Sequence, residues 1–137
     1  MSDSPLIKKL GIKPGMTVSL IDVPEDLYPI LGDLPDEVSI VKIKGNVFPD
    51  FIHAFYTREK DLVRDIYFLK SHLKKDGMLW ISWPKGGSFT ETDLNRDSIR
   101  KLILNEGLVD IKICSVNEKW SALKFVYRRK DRNKNED

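Results

Sequence analysis

Between residues 51 and 83, one amphipathic stripe sits between two runs that are apolar on both faces, and few folds accept that arrangement. Leu62, Ile66, Leu69 and Leu73 recur at spacings of four, three and four, which places them on one face of a helix. Glu59 and Asp61 fall in its first turn and Lys70, Lys74 and Lys75 in its last, matching the helix dipole. Thr57 is placed to cap this helix and Gly77 to end it. Phe51–Tyr56 before it and Met78–Trp83 after it read as strands buried on both faces, as in the centre of a parallel sheet.

The flanking sequence extends the same alternation. Gly11-Ile-Lys-Pro-Gly15 is a turn that launches the strand Thr17–Ile21. Asp22-Val-Pro-Glu25 suits a helix entry, with Asp22 as the cap, and Pro29 keeps that helix short or broken. Val38–Ile43 reads as a second strand. Only residues 44–50 separate it from the third, whereas a parallel crossover usually takes a dozen residues or more. Either the link is an extended return without a helix, or the second strand runs antiparallel. Asp93-Leu-Asn95 can cap a helix carrying Ile99, Leu102 and Ile103 and closing at Gly107. Val109–Cys114 and Ala122–Tyr127 form a terminal hairpin. The expected fold is α/β, with a mainly parallel sheet and an antiparallel hairpin at one edge.

With 137 residues, the chain is expected to form one domain over 1–127, followed by a charged, disordered tail over 128–137. That tail holds five of the 23 cations and three of the 21 anions, leaving the rest charge-balanced at 18 each. Acids and bases interleave along the helices, so no nucleic-acid partner is expected. No apolar run is long enough for a membrane span. The first five residues lack the pattern of a signal peptide, and the single cysteine, Cys114, suits a reducing compartment, so the expected location is cytoplasmic. One cysteine and two separated histidines give no metal spacing. His53, between Phe51 and Phe55 on one strand face, reads as a core histidine, and His72 as a surface one.

Three segments carry a resemblance to a known family. Gly11-Ile-Lys-Pro-Gly-Met16 before the first strand, Leu73–Ser82 before and into a middle one, and the terminal hairpin resemble a class I S-adenosylmethionine-dependent methyltransferase. Along nearly its whole length the chain is also similar to a small prokaryotic family, a domain of unknown function with a shortened methyltransferase-like Rossmann fold. The blocks that carry this second likeness are Ser4–Gly15, Ser82-Trp-Pro-Lys85, Thr92-Asp-Leu-Asn95 and Trp120-Ser121 with Leu123-Lys124. The resemblance implies a truncated Rossmann sheet and S-adenosylmethionine as cofactor. The methyltransferases place a glycine-rich turn after the first strand and an acid at the end of the second. Here those positions hold Asp22-Val-Pro-Glu-Asp26 and Lys42-Ile-Lys-Gly45, and a strand with two helices is missing.

Open parallel sheets bind ligands beyond the carboxyl ends of their strands. That edge collects Asp22, Thr57, Ser82, Trp83, Lys85, Asp93, Asn95, Trp120 and Ser121 as candidate ligand-binding residues. Each has a second reading. The two tryptophans would stack on a flat ligand or close the core's rim. Lys85 would bind an anion, although Pro84-Lys-Gly-Gly87 lacks the ending of a phosphate loop. Asp22, Thr57, Asp93 and Asn95 would serve as helix caps. Three function classes follow: a small-ligand binder that has lost conventional methyl transfer, an active methyltransferase, and a protein-interaction module using the shortened sheet.

Overall fold

The computed structural model describes residues 5–86 and 90–132. A six-stranded sheet forms the centre, built from β1 (Thr17–Ile21), β2 (Ser39–Ile40), β3 (Phe51–Phe55), β4 (Met78–Pro84), β5 (Leu108–Ser115) and β6 (Trp120–Tyr127). Their spatial order is β2-β1-β3-β4-β6-β5. Every pairing from β2 through β4 is parallel, while β6 runs antiparallel to both β4 and β5. β6 is therefore the one reversed strand, which is the mainly parallel sheet with a hairpin edge that the alternation predicts.

The two faces of the sheet bury different side chains. On one face, α2 (Glu59–His72) and α3 (Arg96–Asn105) lay Leu62, Ile66, Leu69, Ile99 and Ile103 on Ile52, Ala54, Leu79, Ile81, Leu123 and Phe125. Full burial of one such aliphatic side chain stabilises by about 1.5–3 kcal/mol. On the other face, α1 (Pro5–Leu10) and a 3-10 run over Glu25–Asp33 cover Val18, Phe51, Phe55 and Trp80. Pro29 lies inside that 3-10 run, in keeping with the broken helix its missing amide implies. α1 is only six residues long, too short to show a helical period in the sequence. Trp80 Nε1 ties it down by donating to the Leu10 carbonyl at 2.9 Å.

The direction of the second strand is settled: Ser39 and Ile40 pair in parallel with Thr17 and Val18. Within the expected span 38–43 only these two residues make up β2, and residues 41–50 return to β3 without a helix. Asp50 pins the end of that return. Its amide donates to the Thr17 carbonyl at 2.8 Å, its carboxylate accepts the Thr17 amide at 2.9 Å and pairs with Lys74 at 3.0 Å, and its carbonyl accepts the Met78 amide at 2.9 Å. This last contact corrects the reading of Gly77. α2 ends at His72, and Gly77 lies in the next turn, where an added Cβ would stand 2.7 Å from the Asp50 carbonyl.

The charged tail begins with order. Arg129–Arg132 form a helical turn, α4, whose Arg132 side chain donates to the Tyr127 carbonyl at 2.9 Å. Residues 133–137 of the expected disordered segment lie outside the described residues, as does Gly87 of the Pro84–Gly87 loop. No described helix is long and apolar enough to cross a membrane.

Candidate functional site at the carboxyl edge of the sheet

The exit of β1 turns on Asp22, whose φ of 57° is left-handed. Aspartate is among the few side chains that tolerate this region, so the chain reverses sharply without a glycine. Asp22 is not the helix cap expected of it: Pro24 precedes the 3-10 run, and no side chain caps it. Asp22 instead lines an open groove with Leu20, Val23, Tyr28 and Ile40, between the carboxyl ends of β1 and β2. Farther along the same turn, Asp26 accepts a hydrogen bond from the Asn117 side chain at 2.9 Å, tying the β1 exit to the β5–β6 turn.

Tyr56, just past β3, stands beside this exit. Its hydroxyl donates to Asp65 of α2 at 2.7 Å, and Asp65 also accepts from Arg64 at 2.8 Å. Burial raises the phenol's pKa far above its ordinary value, helped by the bond to Asp65 and by the charges of Asp65 and Asp22. Arg64, before Tyr56, holds the Asp65 carboxyl below its usual range against the opposing effect of burial. Tyr56 therefore keeps its proton and donates it to Asp65 in a fixed hydrogen bond. Sequence reasoning placed Tyr56 at the strand end without choosing it. Asp65 sits nine residues on, and only the β3–α2 geometry brings the two together.

The loop ahead of α3 braces the start of α2. Thr57 is not a cap, since Arg58 holds the N-cap position of α2 without a side-chain bond. The capping oxygen comes from Asp93, which accepts the Glu59 amide at 2.8 Å. Thr92 donates to the Thr57 carbonyl at 2.7 Å and accepts the Leu94 amide at 3.0 Å. Asn95 caps α3 as expected: it accepts the Ser98 amide at 2.8 Å, and the Ser98 hydroxyl accepts the Asn95 amide at 3.1 Å. Thr57, Asp93 and Asn95 thus lie along one junction, where the Thr57 carbonyl accepts from Thr92, Asp93 accepts the Glu59 amide at the start of α2, and Asn95 accepts the Ser98 amide at the start of α3.

Ser82, Trp83 and Trp120 lie deeper than their sequence positions imply. Ser82 is fully buried, with its hydroxyl 2.6 Å from His53 Nε2. Trp83 belongs to the core beneath α2 and α3, whereas Trp120 packs edge-on against Phe55 on the opposite face, with ring centroids 5.3 Å apart. The sheet separates the two indoles, so no flat ligand can be held between them. The cause is the β4–β6 register, in which Trp83 faces Ser121 and Pro84 faces Trp120, so the two rings project to opposite sides. Ser121 is half-buried in the hairpin between Trp83 and Ser115. The Lys85 ammonium donates to the Ser115 hydroxyl at 2.6 Å, and the Lys85 amide to the Lys119 carbonyl at 2.8 Å.

His53 is the core histidine its position predicts. It stacks on Phe55 with centroids 4.3 Å apart, and burial lowers its pKa to about 3, so the imidazole is neutral. Among the described residues, no three His, Cys, Asp or Glu side chains gather as a metal site. The burial that surrounds the Cys114 thiol raises its pKa, which disfavours the nucleophilic thiolate. The nine candidates thus divide: Asp22 opens onto a groove, Thr57, Asp93 and Asn95 build the α2–α3 junction, Ser82, Trp83 and Trp120 are core, and Lys85 and Ser121 meet Ser115 at the β5–β6 hairpin.

No family model and no curated protein sequence matches the chain. Solved structures do. The chain is similar to the ribosomal protein L11 methylase of Lactobacillus delbrueckii subsp. bulgaricus, with a TM-score of 0.57 at 15% identity over 90% of this chain and 75% of that one. It is similar to a TehB-like SAM-dependent methyltransferase of Corynebacterium glutamicum, with a TM-score of 0.60 at 11% identity over 90% and 85%. A third likeness is to the magnesium protoporphyrin IX methyltransferase of Synechocystis PCC 6803, solved with bound SAH, with a TM-score of 0.56 at 9% identity over 90% and 78%. The chain has a class I methyltransferase-like Rossmann fold; at these identities the likeness is one of fold.

Proposed function

We propose that the chain binds a small ligand bearing a flat ring and vicinal hydroxyls, of the adenosine class, in the groove at the ends of β1 and β2, without conventional methyl transfer. The observation that carries this reading is the groove itself, where Asp22 is the one charged side chain against Leu20, Val23, Tyr28 and Ile40. Its apolar walls suit a ring and its carboxylate suits a hydroxyl or ammonium donor. The methyltransferase-like neighbours support a nucleoside at this edge.

The carboxylate at the amino-acid end of S-adenosylmethionine finds no cationic partner in this groove. It would meet Asp22, with Glu25 and Asp26 following, and none of the described lining residues is cationic. Lys42 and Lys44 follow β2, where an acid would bind ribose. No step of methyl transfer is therefore derived. A second reading, active methyl transfer with an altered cofactor pose, is supported by the activities printed for the neighbours.

Calorimetric titration with adenosine, S-adenosylhomocysteine and S-adenosylmethionine separates the two. On the first reading adenosine and S-adenosylhomocysteine bind with affinities within about threefold, and Asp22→Asn weakens both by about tenfold through loss of one charged hydrogen bond. Asparagine also accepts the left-handed backbone, so the variant keeps the turn. S-adenosylmethionine binding more than about tenfold tighter than adenosine would show its amino-acid end engaged and favour the second reading. No heat with any of the three at millimolar concentration overturns both.

A further inference from the structure

Beside the groove, within the core on the α1 face of the sheet, lies an apolar cavity of about 20 Å³. Of the ten described residues that line it, nine are apolar and the tenth is His53. A buried water needs about two to four polar partners. The His53 imidazole is one at most, being neutral and already bonded through Nε2 to Ser82. The space therefore suits a small apolar group better than water. Left empty, it forfeits the dispersion contacts of the side chains around it.

The cavity and the groove share a wall, because Leu20 and Val23 line both. The 3-10 run divides at the same place: Leu27, which is buried, lines the cavity, and the next residue, half-exposed Tyr28, lines the groove. Asp22, the charged residue of the groove, immediately precedes Val23 of that wall. A ligand held at Asp22 is thus held at the partition between a wet groove and a dry cavity.

We propose that the ligand is a nucleoside whose 5′ carbon carries a short apolar group, of the alkylthio class, and that this group enters the cavity between Leu20 and Val23. The inference rests on the adenosine-class reading of the groove and narrows it. A ribose whose hydroxyls meet Asp22 brings its 5′ position to the partition, since the 5′ carbon leaves the ring beside the hydroxyl-bearing 3′ carbon. A methylthio group is small enough for the cavity and asks nothing polar of it. The 5′ hydroxyl of adenosine would be buried there without a partner, so it stays in the groove. The amino-acid chain of S-adenosylhomocysteine is excluded more strongly, because its charged end would have to enter apolar surroundings.

Calorimetric titration of the full chain with adenosine, 5′-methylthioadenosine and S-adenosylhomocysteine is the test. Expected is binding of 5′-methylthioadenosine about tenfold tighter than adenosine, a gain that S-adenosylhomocysteine does not share. Val116 lines the cavity and not the groove, so Val116→Ile fills the space from the far side. That variant is expected to keep the wild-type affinity for adenosine, to lose most of the gain, and to hold or raise its melting temperature. Should it fail to fold, 5′-isobutylthioadenosine serves the same purpose on the wild type: its branched group exceeds the cavity and is expected to bind no tighter than adenosine. Adenosine binding with no gain for 5′-methylthioadenosine overturns this inference and leaves the groove reading in place. So does a gain that survives in Val116→Ile or that the isobutylthio compound shares. Absence of heat with every nucleoside overturns both.

Discussion

Asp93 accepts the backbone amide of Glu59 at 2.8 Å, so the loop that introduces α3 also closes the exposed start of α2. The first turn of a helix leaves amides without partners, and here a carboxylate from 34 residues away supplies one while also facing the positive end of the helix dipole. One bond thereby fixes the α2–α3 junction beside the candidate groove.

Asp93→Ala is expected to cost about 1 kcal/mol of stability, or about 3 °C in melting temperature. Asp93→Asn retains an accepting oxygen and is expected to cost less than half as much. Thermal or urea unfolding of both variants checks this, and equal losses would refute the capping role.

The His53 imidazole gives the fold a pH dependence of definite sign. Burial lowers its pKa from 6.5 to about 3 in the native state. Between those values the unfolded chain binds a proton that the native chain refuses, so stability falls as pH drops through the window. The slope from this one group is about 1.4 kcal/mol per pH unit. His53→Leu leaves the Ser82 hydroxyl without its partner and so lowers the whole curve, yet it is expected to flatten it by that slope. Urea unfolding from about pH 6 to about pH 4 reads the difference; parallel curves for variant and wild type would show that His53 does not titrate as argued.

Trp83 and Trp120 are expected to behave as core residues. Each replacement by alanine removes a large side chain that is under a tenth exposed and is expected to cost about 3–5 kcal/mol. Lys85→Ala, which removes one ammonium bond to Ser115, is expected to cost less than about 1 kcal/mol. Urea unfolding midpoints for the three variants give the comparison. Tryptophan variants as stable as the wild type would return the two rings to the list of ligand contacts.

The parts of this fold that were legible in the sequence are those set by short-range periodicity. Leu62, Ile66, Leu69 and Leu73 mark α2 because a buried helix face repeats every three or four residues. Asn95 marks α3 because a capping box is local. What was not legible depends on register or on distant partners. Nothing near Trp83 or Trp120 in the sequence states that β4 and β6 pair so as to send the two rings to opposite faces. Asp93 reads as a cap for the helix it precedes, and only the folded chain shows it capping the other one. At the β1 exit the lack of glycine was legible, but the left-handed backbone of Asp22 that replaces it was not.

The short β2 strand has a consequence for how any ligand would meet its site. Ser39 and Ile40 hang on the outer edge of β1, and no helix covers the return that follows them, while β3 and β4 are buried at the centre. Regions with little buried apolar area open locally at a fraction of the global unfolding free energy. The outer wall of the groove is thus its softest part, and Ile40 belongs to it. A ligand seated there would tighten the wall as it bound, slowing hydrogen exchange at the Val41 amide, which donates to the Val18 carbonyl at 2.8 Å. Occupancy would then be recorded in the edge of the sheet and not in its centre.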